Sequence, residues 1–370
     1  MEPLELRTRD LVLRTWRHTD TAAVHRACQD PVLARWSRLP SPFPLADAER
    51  IVADMVAAHE AGTMVATGVF DEAGELLGSV DLRDHDKRRG TAELGYWTTP
   101  WARGRNVAER ASRALLRWGL EELGLTRVDW RATVGNHASR LIGLRLGFRM
   151  IGRRPGPGAD EEWIAALVPG DLTPAGHEID PAVSRQAKIF GGPPPTLRGD
   201  TVRLRPLHDA DRAAIVAAYQ DPEIIRWYGV PTPYTDGHAE RLVHGDGPRE
   251  WARGVEAIFA VTGPDDAWAG TIDLRVDEKD PRAGEVGYLI GPEHRGRGYA
   301  SDALRTITRW GFDELGLARV QWRAEVGNDA SRRVAEKAGF TMEGLLRQSL
   351  EEDGRRYDCW VGSLLRTEMV

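Results

Sequence analysis

Hydrophobic and polar positions along this chain run through one programme twice. In the later half, "EAIFAVT", "WAGTIDLRV" and "GEVGYLIG" carry alternating or continuous apolar residues, which predicts three successive strands. An Arg-Gly-Arg-Gly loop follows. From Ala300 to Leu315 apolar residues then recur every three to four positions, the spacing of a long amphipathic helix. "RVQWRAEV" returns to strand character, and "DASRRVAEKAG" predicts a short helix with Gly339 at its C-terminal end. "GFTMEGLLRQSL" and "RRYDCWVGSLLR" read as two last strands joined by a turn at Asp353-Gly354. Ahead of these, the strand "TVRLRPL" leads to a helix that Asp209 or Asp211 could cap. The Pro- and aromatic-rich loop "WYGVPTPYT" separates it from a helix beginning near Gly237.

The earlier half repeats this order. Leu13 to Trp36 matches Leu204 to Trp227 without a gap, and Glu93 to Phe148 agrees with Glu285 to Phe340 at more than half of the positions. A repeat of this length is a domain rather than a solenoid unit. The expected division is 1–168 for the first domain, 169–196 for a linker and 197–370 for the second. Three consecutive prolines after Gly191 and Gly192 predict a stiff, extended spacer, with Ile189 and Phe190 apolar enough to dock on a domain. The fold class is α/β, a mixed sheet with flanking helices, used twice.

Composition narrows the function. A chain of 370 residues is too long for one ordinary core and suits two. With 41% hydrophobic and 29% charged residues and a net charge of -6, nothing supplies the basic face that a nucleic-acid partner requires. No stretch reaches the length of a membrane span, and the start "MEPLELRTRD" has no apolar leader core, so the expected location is the cytoplasm. Cys28 and Cys359 lie outside any metal or redox spacing and read as buried apolar residues; no metal site is expected.

The loop from Arg295 to Gly298 stands between a strand and a helix. Glycines there let the backbone curl around a phosphate, and the helix dipole favours its charge, with Arg295 and Arg297 at the rim. Many such joints bind nothing, so spacing alone leaves both readings open. The order around the loop is more specific. Glu285, Gly287 and Tyr288 precede it; Asn328, Ser331, Gly339 and Phe340 follow; and Glu343, Gly344 and Arg347 come last. This set resembles the GCN5-related N-acetyltransferase superfamily, in particular the branch that acetylates ribosomal-protein N-termini. The resemblance covers essentially all of the second copy and most of the first. It implies a mostly antiparallel twisted sheet with one splayed parallel strand pair, and acetyl-CoA (or another acyl-CoA) as co-substrate. The loop residues Arg295, Gly296, Arg297, Gly298, Tyr299 and Ala300 would hold the CoA pyrophosphate. Tyr288, Leu289 and Ile290 would pair with the pantetheine arm, and Asn328 would hold the pantetheine or the acceptor.

Acetyl transfer to an amine needs a proton acceptor, because an alkyl ammonium has a pKa of roughly 10. Glu285 is the first candidate base by the resemblance; its alternative is a structural carboxylate holding nearby arginines. Glu325 is the second; its alternative is an exposed strand carboxylate. Superfamily members often place a Tyr seven residues after the Asn, but Ala335 stands there, so Ser331 becomes the candidate proton donor to the thiolate or, on the blander reading, a helix cap. No cysteine accompanies these motifs, which favours direct transfer.

The first copy keeps Arg103, Gly104, Arg105, Ala108 and Asn136 as a second candidate cofactor site, but Asn106 replaces Gly298 and Thr133 replaces Glu325. Asn tolerates a left-handed backbone, yet its side chain crowds a phosphate. The segment after Phe148 also reads as short for a final hairpin, so the second copy is expected to be the better enzyme. Tyr228, Tyr234 and Asp236 are the acceptor-side candidates, a set suited to a cationic amine, either a small molecule or a peptide N-terminus. Trp227 reads as loop packing. The two domains could pack as a pseudo-dimer. An acyltransferase with a longer or carrier-bound donor and a non-catalytic CoA-binding module are the competing readings.

Overall fold

The computed structural model describes residues 1–157, 160–352 and 354–369; Asp353, half of the expected final turn, lies outside them. The chain divides into two compact units, Met1–Glu178 and Ile179–Val370. The first contains β1 (Glu5–Arg7), β2 (Val12–Thr15), α1 (Thr21–Cys28), α2 (Pro31–Ser37), α3 (Leu45–Ala61), β3 (Val65–Phe70), β4 (Leu76–Asp86), β5 (Thr91–Thr98), α4 (Val107–Glu121), β6 (Arg127–Thr133), α5 (His137–Leu146), β7 (Arg149–Pro155) and β8 (Glu161–Leu167). The second contains α6 (Pro181–Ile189), β9 (Leu197–Arg198), β10 (Arg203–Arg205), α7 (Arg212–Ala218), α8 (Pro222–Tyr228), α9 (Asp236–Glu240), α10 (Gly247–Arg253), β11 (Glu256–Thr262), β12 (Trp268–Val276), β13 (Ala283–Ile290), α11 (Tyr299–Asp313), β14 (Arg319–Glu325), α12 (Asp329–Lys337), β15 (Thr341–Glu352) and β16 (Arg355–Leu365).

Each unit carries one eight-stranded sheet, ordered β1-β2-β3-β4-β5-β6-β8-β7 in the first and β9-β10-β11-β12-β13-β14-β16-β15 in the second. The central pairs β5–β6 and β13–β14 are parallel, and their neighbours on either side are antiparallel. The parallel ladder is short. It runs from Ala283↔Arg319 to Val286↔Trp322 and stops, although β13 continues to Ile290 and β14 to Glu325. The expected splayed strand pair is therefore present, and the backbone of Gly287–Ile290 faces a gap on that side.

The long helix α11 buries Ala303, Leu304, Ile307 and Trp310 in one core with Leu274, Val286 and Trp322. Those helical positions lie on one face at a period near 3.6, and each large aliphatic buried there contributes roughly 1.5–3 kcal/mol. Asp302 on the same helix accepts N–H groups of Asp200, Thr201 and Val202 at 3.2, 2.6 and 3.1 Å and the Thr201 hydroxyl at 2.9 Å, which fastens the β9–β10 turn to α11.

Two expectations are corrected and one is refined. The stretch expected as a spacer holds a helix, α6, capped by Asp180, and Phe190 after it docks as expected, fully buried against Trp251 with ring centroids 4.7 Å apart. The helix expected near Gly237 starts at Asp236 and passes through a π turn, Arg241–Asp246, into α10. The segment after Phe148 does form a closing hairpin, β7–β8, with seven-residue strands where β15 and β16 have 12 and 11. Both cysteines are buried and unpaired, as expected, and no helix among the described residues is long and apolar enough to cross a membrane.

Candidate active site

A cleft of ≈ 1070 Å³ opens in the second unit where β13 and β14 part. One end is built by the loop into α11. Gly296 and Gly298 have φ of 76° and 82°, and a Cβ on either would meet nothing within 4 Å, so backbone handedness rather than room calls for glycine. No side chain caps α11, so the N–H groups of Tyr299, Ala300 and Ser301 lack intrahelical acceptors, and all three residues line the cleft. Arg295 lines it too. Its Nη2 lies 2.6 Å from Oδ1 of Asp221, which also caps α8 by accepting the Ile224 N–H. Arg297 instead donates to the Glu293 carbonyl at 3.0 Å and is exposed. Lys337 from α12 adds a cation on the cleft wall. Tyr288, Leu289 and Ile290 line the cleft beyond the last parallel pair.

Asn328 and Ser331 stand at the start of α12. Asn328 Oδ1 accepts the Ser331 N–H at 3.1 Å, so its carbonyl is a helix cap. The Ser331 hydroxyl accepts from Trp322 Nε1 at 3.0 Å and donates to Tyr288 Oη at 3.1 Å, while Tyr288 donates to the Ser331 carbonyl at 2.8 Å. Burial pushes the Tyr288 phenol far above its ordinary pKa despite those bonds, so it stays protonated.

The carboxylates form the other end. Glu285 is held by Arg323, with Nε–Oε2 2.7 Å and Nη2–Oε1 3.1 Å, and by Gln321 at 3.3 Å and Arg275 at 3.5 Å. Glu325 makes a two-point ion pair with Arg226 at 2.9 and 2.6 Å, tying β14 to α8. Two further acids line the floor. Asp273 on β12 sits opposite Gly287, with Glu256 on the neighbouring strand β11. Burial pushes the Asp273 carboxyl up to about 7; Arg275 opposes this, and Glu256 and Glu285 add to it.

Of the acceptor-side candidates, Tyr228 lines the cleft and is 38% exposed. Burial of its hydroxyl end near Asp273 raises its phenol well above the ordinary range. Tyr234 and Asp236 do not line this cleft. Tyr234 is only 7% exposed and packs at 4.4 Å from the Tyr219 ring, because the loop folds that side chain under α7. The Asp236 carboxylate, 67% exposed, pairs with Arg212. Trp227, expected as packing, lines the cleft and donates to Glu223 at 3.0 Å, with Arg226 over its ring. Glu343 stands away from the cleft: Arg319 first, at 2.8 and 2.6 Å, and then Ser363 hold its carboxyl down at about 2.

The first unit preserves the frame. Asn106 takes the left-handed place of Gly298 with φ 54°, so the loop keeps its shape. Asn136 caps α5 through the Ser139 N–H at 3.2 Å, and Tyr96, Ser139 and Trp130 form a related network in which the Trp130 indole donates to Tyr96 Oη at 3.0 Å rather than to the serine. Glu93 pairs with Arg131 at 2.8 Å, Arg103 with Asp30, and Asp81, the counterpart of Asp273, with Arg83 at 2.9 Å. Met64 stands where the second unit has Glu256. The sequence reading missed Asp273, Glu256, Arg275 and Lys337; the strand carrying Glu256 shares only Val261 with its counterpart, Val69, so the comparison of the two copies gave no signal there.

A family model described as "Acetyltransferase (GNAT) domain" matches residues 10–149 and again 201–341. Among curated relatives, the uncharacterized N-acetyltransferase YoaA of Bacillus subtilis is 32% identical over 174 residues, 46% of this chain and 97% of that one. The ribosomal-protein-serine acetyltransferase of Escherichia coli is 30% identical over 97 residues, 26% of this chain and 54% of that one. Among solved structures, Mycobacterium smegmatis RimJ in complex with CoA-disulfide is 26% identical with a TM-score of 0.43, covering 47% of this chain and 88% of that one.

Proposed function

The chain belongs to the GNAT acetyltransferase family, and from that premise we propose that its second unit transfers an acetyl group from acetyl-CoA directly to a primary amine. The observation that carries this reading is the polarity of one cleft. Uncapped helix amides with Arg295 and Lys337 stand at one end, and Glu256 and Asp273, with Arg275 between them, and Tyr228 at the other. The first end fits a pyrophosphate; the second fits a cationic amine. Between them the backbone of Gly287–Ile290, paired with β12 on one side and without a strand partner on the β14 side, offers N–H groups to the pantetheine arm and to the thioester carbonyl oxygen. The departing thiolate would meet the Ser331 hydroxyl, backed by the protonated Tyr288 phenol. Asn328, already a cap, keeps its amide N–H₂ for the pantetheine or the acceptor.

The first unit has the same frame with Asn106 at the phosphate turn and Met64 and Thr133 in place of two carboxylates. Its part in this reading is support, with weak CoA binding at most.

The test is CoA-thiol release from acetyl-CoA across a panel of peptides of varied N-terminus, amino acids, polyamines and aminoglycosides. Acceptor-dependent release with one class supports the reading and names the substrate. Release only with longer acyl-CoA or carrier-bound donors points to a different acyl transfer. CoA binding without release from any donor points to a binding module.

A further inference from the structure

We propose that Asp273, paired with Glu256, is the group that takes the proton from the acceptor ammonium. This assignment rests on the acetyl-transfer reading of the cleft and goes beyond it by naming the base.

Position comes first. Asp273 is paired across β12–β13 with Gly287, one residue past the last parallel pair, so its carboxylate stands on the cleft floor where the strands begin to part. A Cβ at Gly287 would come within 2.7 Å of Asp273 Oδ1. The side chain therefore lies across the start of the very segment that would hold the thioester. It is 13% exposed, and Oδ2 makes no hydrogen bond, although Arg275 Nε lies 3.2 Å away.

Charge comes second. Three carboxylates, Asp273, Glu256 and Glu285, share two guanidinium groups, Arg275 and Arg323. Arg323 is committed to Glu285 by two bonds, which leaves Arg275 between the other two acids, 3.2 Å from Asp273 and 3.8 Å from Glu256. One negative charge is left over, and a half-buried acid pair in that position holds a proton readily. Glu285, with its lone pairs taken by Arg323, Gln321 and Arg275, is the poorer acceptor. The groups facing Asp273 are Arg275 on its own strand, Glu256 on β11, Glu285 on β13, and the phenols of Tyr219, just past α7, and Tyr228, at the end of α8. The first unit arranges its charges differently: Asp81 pairs with Arg83 and Glu93 with Arg131, Met64 stands in the place of Glu256, and the third acid near them is Asp84, from the strand's far end.

The step balances as follows. Of the ammonium's three protons, one passes to Asp273, freeing the nitrogen lone pair to attack the thioester carbonyl carbon. The C–N bond forms and the C–S bond breaks, with the electron pair leaving on sulfur. A second proton reaches that thiolate by way of Ser331, and the third stays on the amide. Asp273 then returns its proton to solvent.

The experiment measures kcat/KM against pH with the best amine of the panel, together with CoA affinity by calorimetry. Wild type should lose activity as pH falls through about 7, where Asp273 becomes protonated. Asp273→Asn should fall at least about 100-fold with CoA affinity within about twofold of wild type. Glu256→Gln removes a neighbouring negative charge, so the acid limb should move to lower pH while activity above it persists; a merely structural residue would not move that limb. If Asp273→Asn no longer binds CoA, the Glu256→Gln limb decides alone. Asp273→Asn within fivefold of an active wild type, or an acid limb unmoved in Glu256→Gln, overturns the assignment and leaves acetyl transfer standing. A wild type silent with every amine and donor overturns both.

Discussion

Replacing Gly298 by Asn copies into the second unit the one residue that differs between Arg103–Asn106 and Arg295–Gly298. The structure separates its effects on folding and on binding. Asn106 already holds φ 54°, ψ 26° at the matching place, close to the φ 82°, ψ -1° of Gly298, and a Cβ at 298 meets nothing within 4 Å. The conformational cost is therefore about 1 kcal/mol or less. For a unit of this size that is a melting-temperature drop of roughly 2–4 °C. Binding is different, because the new side chain projects where a pyrophosphate must approach the Tyr299 and Ala300 amides. Losing one charge-assisted hydrogen bond removes about 1.5–3 kcal/mol, or roughly 10- to 150-fold in Kd. Calorimetry with CoA, alongside thermal unfolding, reads both quantities. Pantetheine, which lacks the pyrophosphate, should bind variant and wild type equally. An unchanged CoA Kd would refute the claim that these amides hold the phosphates. A fall of more than about 10 °C would refute the claim that Asn fits the turn.

Three further outcomes are expected. The Asp273 carboxyl has its pKa raised to about 7 from 3.8, so its contribution to stability is complete below pH 3.8 and is lost as pH rises through about 7; Asp273→Asn should melt higher than wild type at pH 8, with the gap closing by pH 4, as differential scanning calorimetry would record. Asp302→Ala strands the N–H groups that this carboxylate accepts and should cost the second unit about 2–4 kcal/mol, measured by urea unfolding; a loss below about 0.5 kcal/mol would mean that water replaces the bonds. Ser331→Ala leaves Trp322 Nε1 without its acceptor and the Tyr288 hydroxyl without its donor, which should cost about 1–3 kcal/mol and lower kcat with little change in CoA affinity; an unchanged kcat would leave Ser331 as a cap.

The elements around the cleft were readable in the residues because each has its own local signature. Alternation marks β11 to β13, the apolar period marks α11, and the Arg-Gly-Arg-Gly loop marks the uncapped helix start. The duplication was plain for the same reason. Where the sequence reading fell short, the deciding information lay in chain crossings. Asp273 and Glu256 stand 17 positions apart, each a single acid in an ordinary-looking strand, and only the β11–β12 register brings them together. Tyr234 and Asp236 looked as open as Tyr228 because all three stand in or beside one Pro- and aromatic-rich loop. Only the packing of that loop shows that one ring enters the core, one carboxylate serves Arg212, and one phenol remains at the cleft. Arg297 and Arg295 are likewise indistinguishable on paper. The left-handed turn between them sends one guanidinium back to Glu293 and the other to Asp221.

The contact between Gly287 and the Asp273 carboxylate also bears on how this protein can vary. The two positions form a single unit of heredity. Any side chain at 287 must displace a buried acid, and the same holds for Gly95 under Asp81 and Arg83 in the first unit. A library that randomises residue 287 alone should return glycine, whereas one that randomises 273 and 287 together should recover non-glycine partners only where the acid has been shortened to Ala, Ser or Gly. Folded members of that second class would keep the sheet and surrender the carboxylate, so a screen for solubility and a screen for turnover would enrich different halves of the same pool.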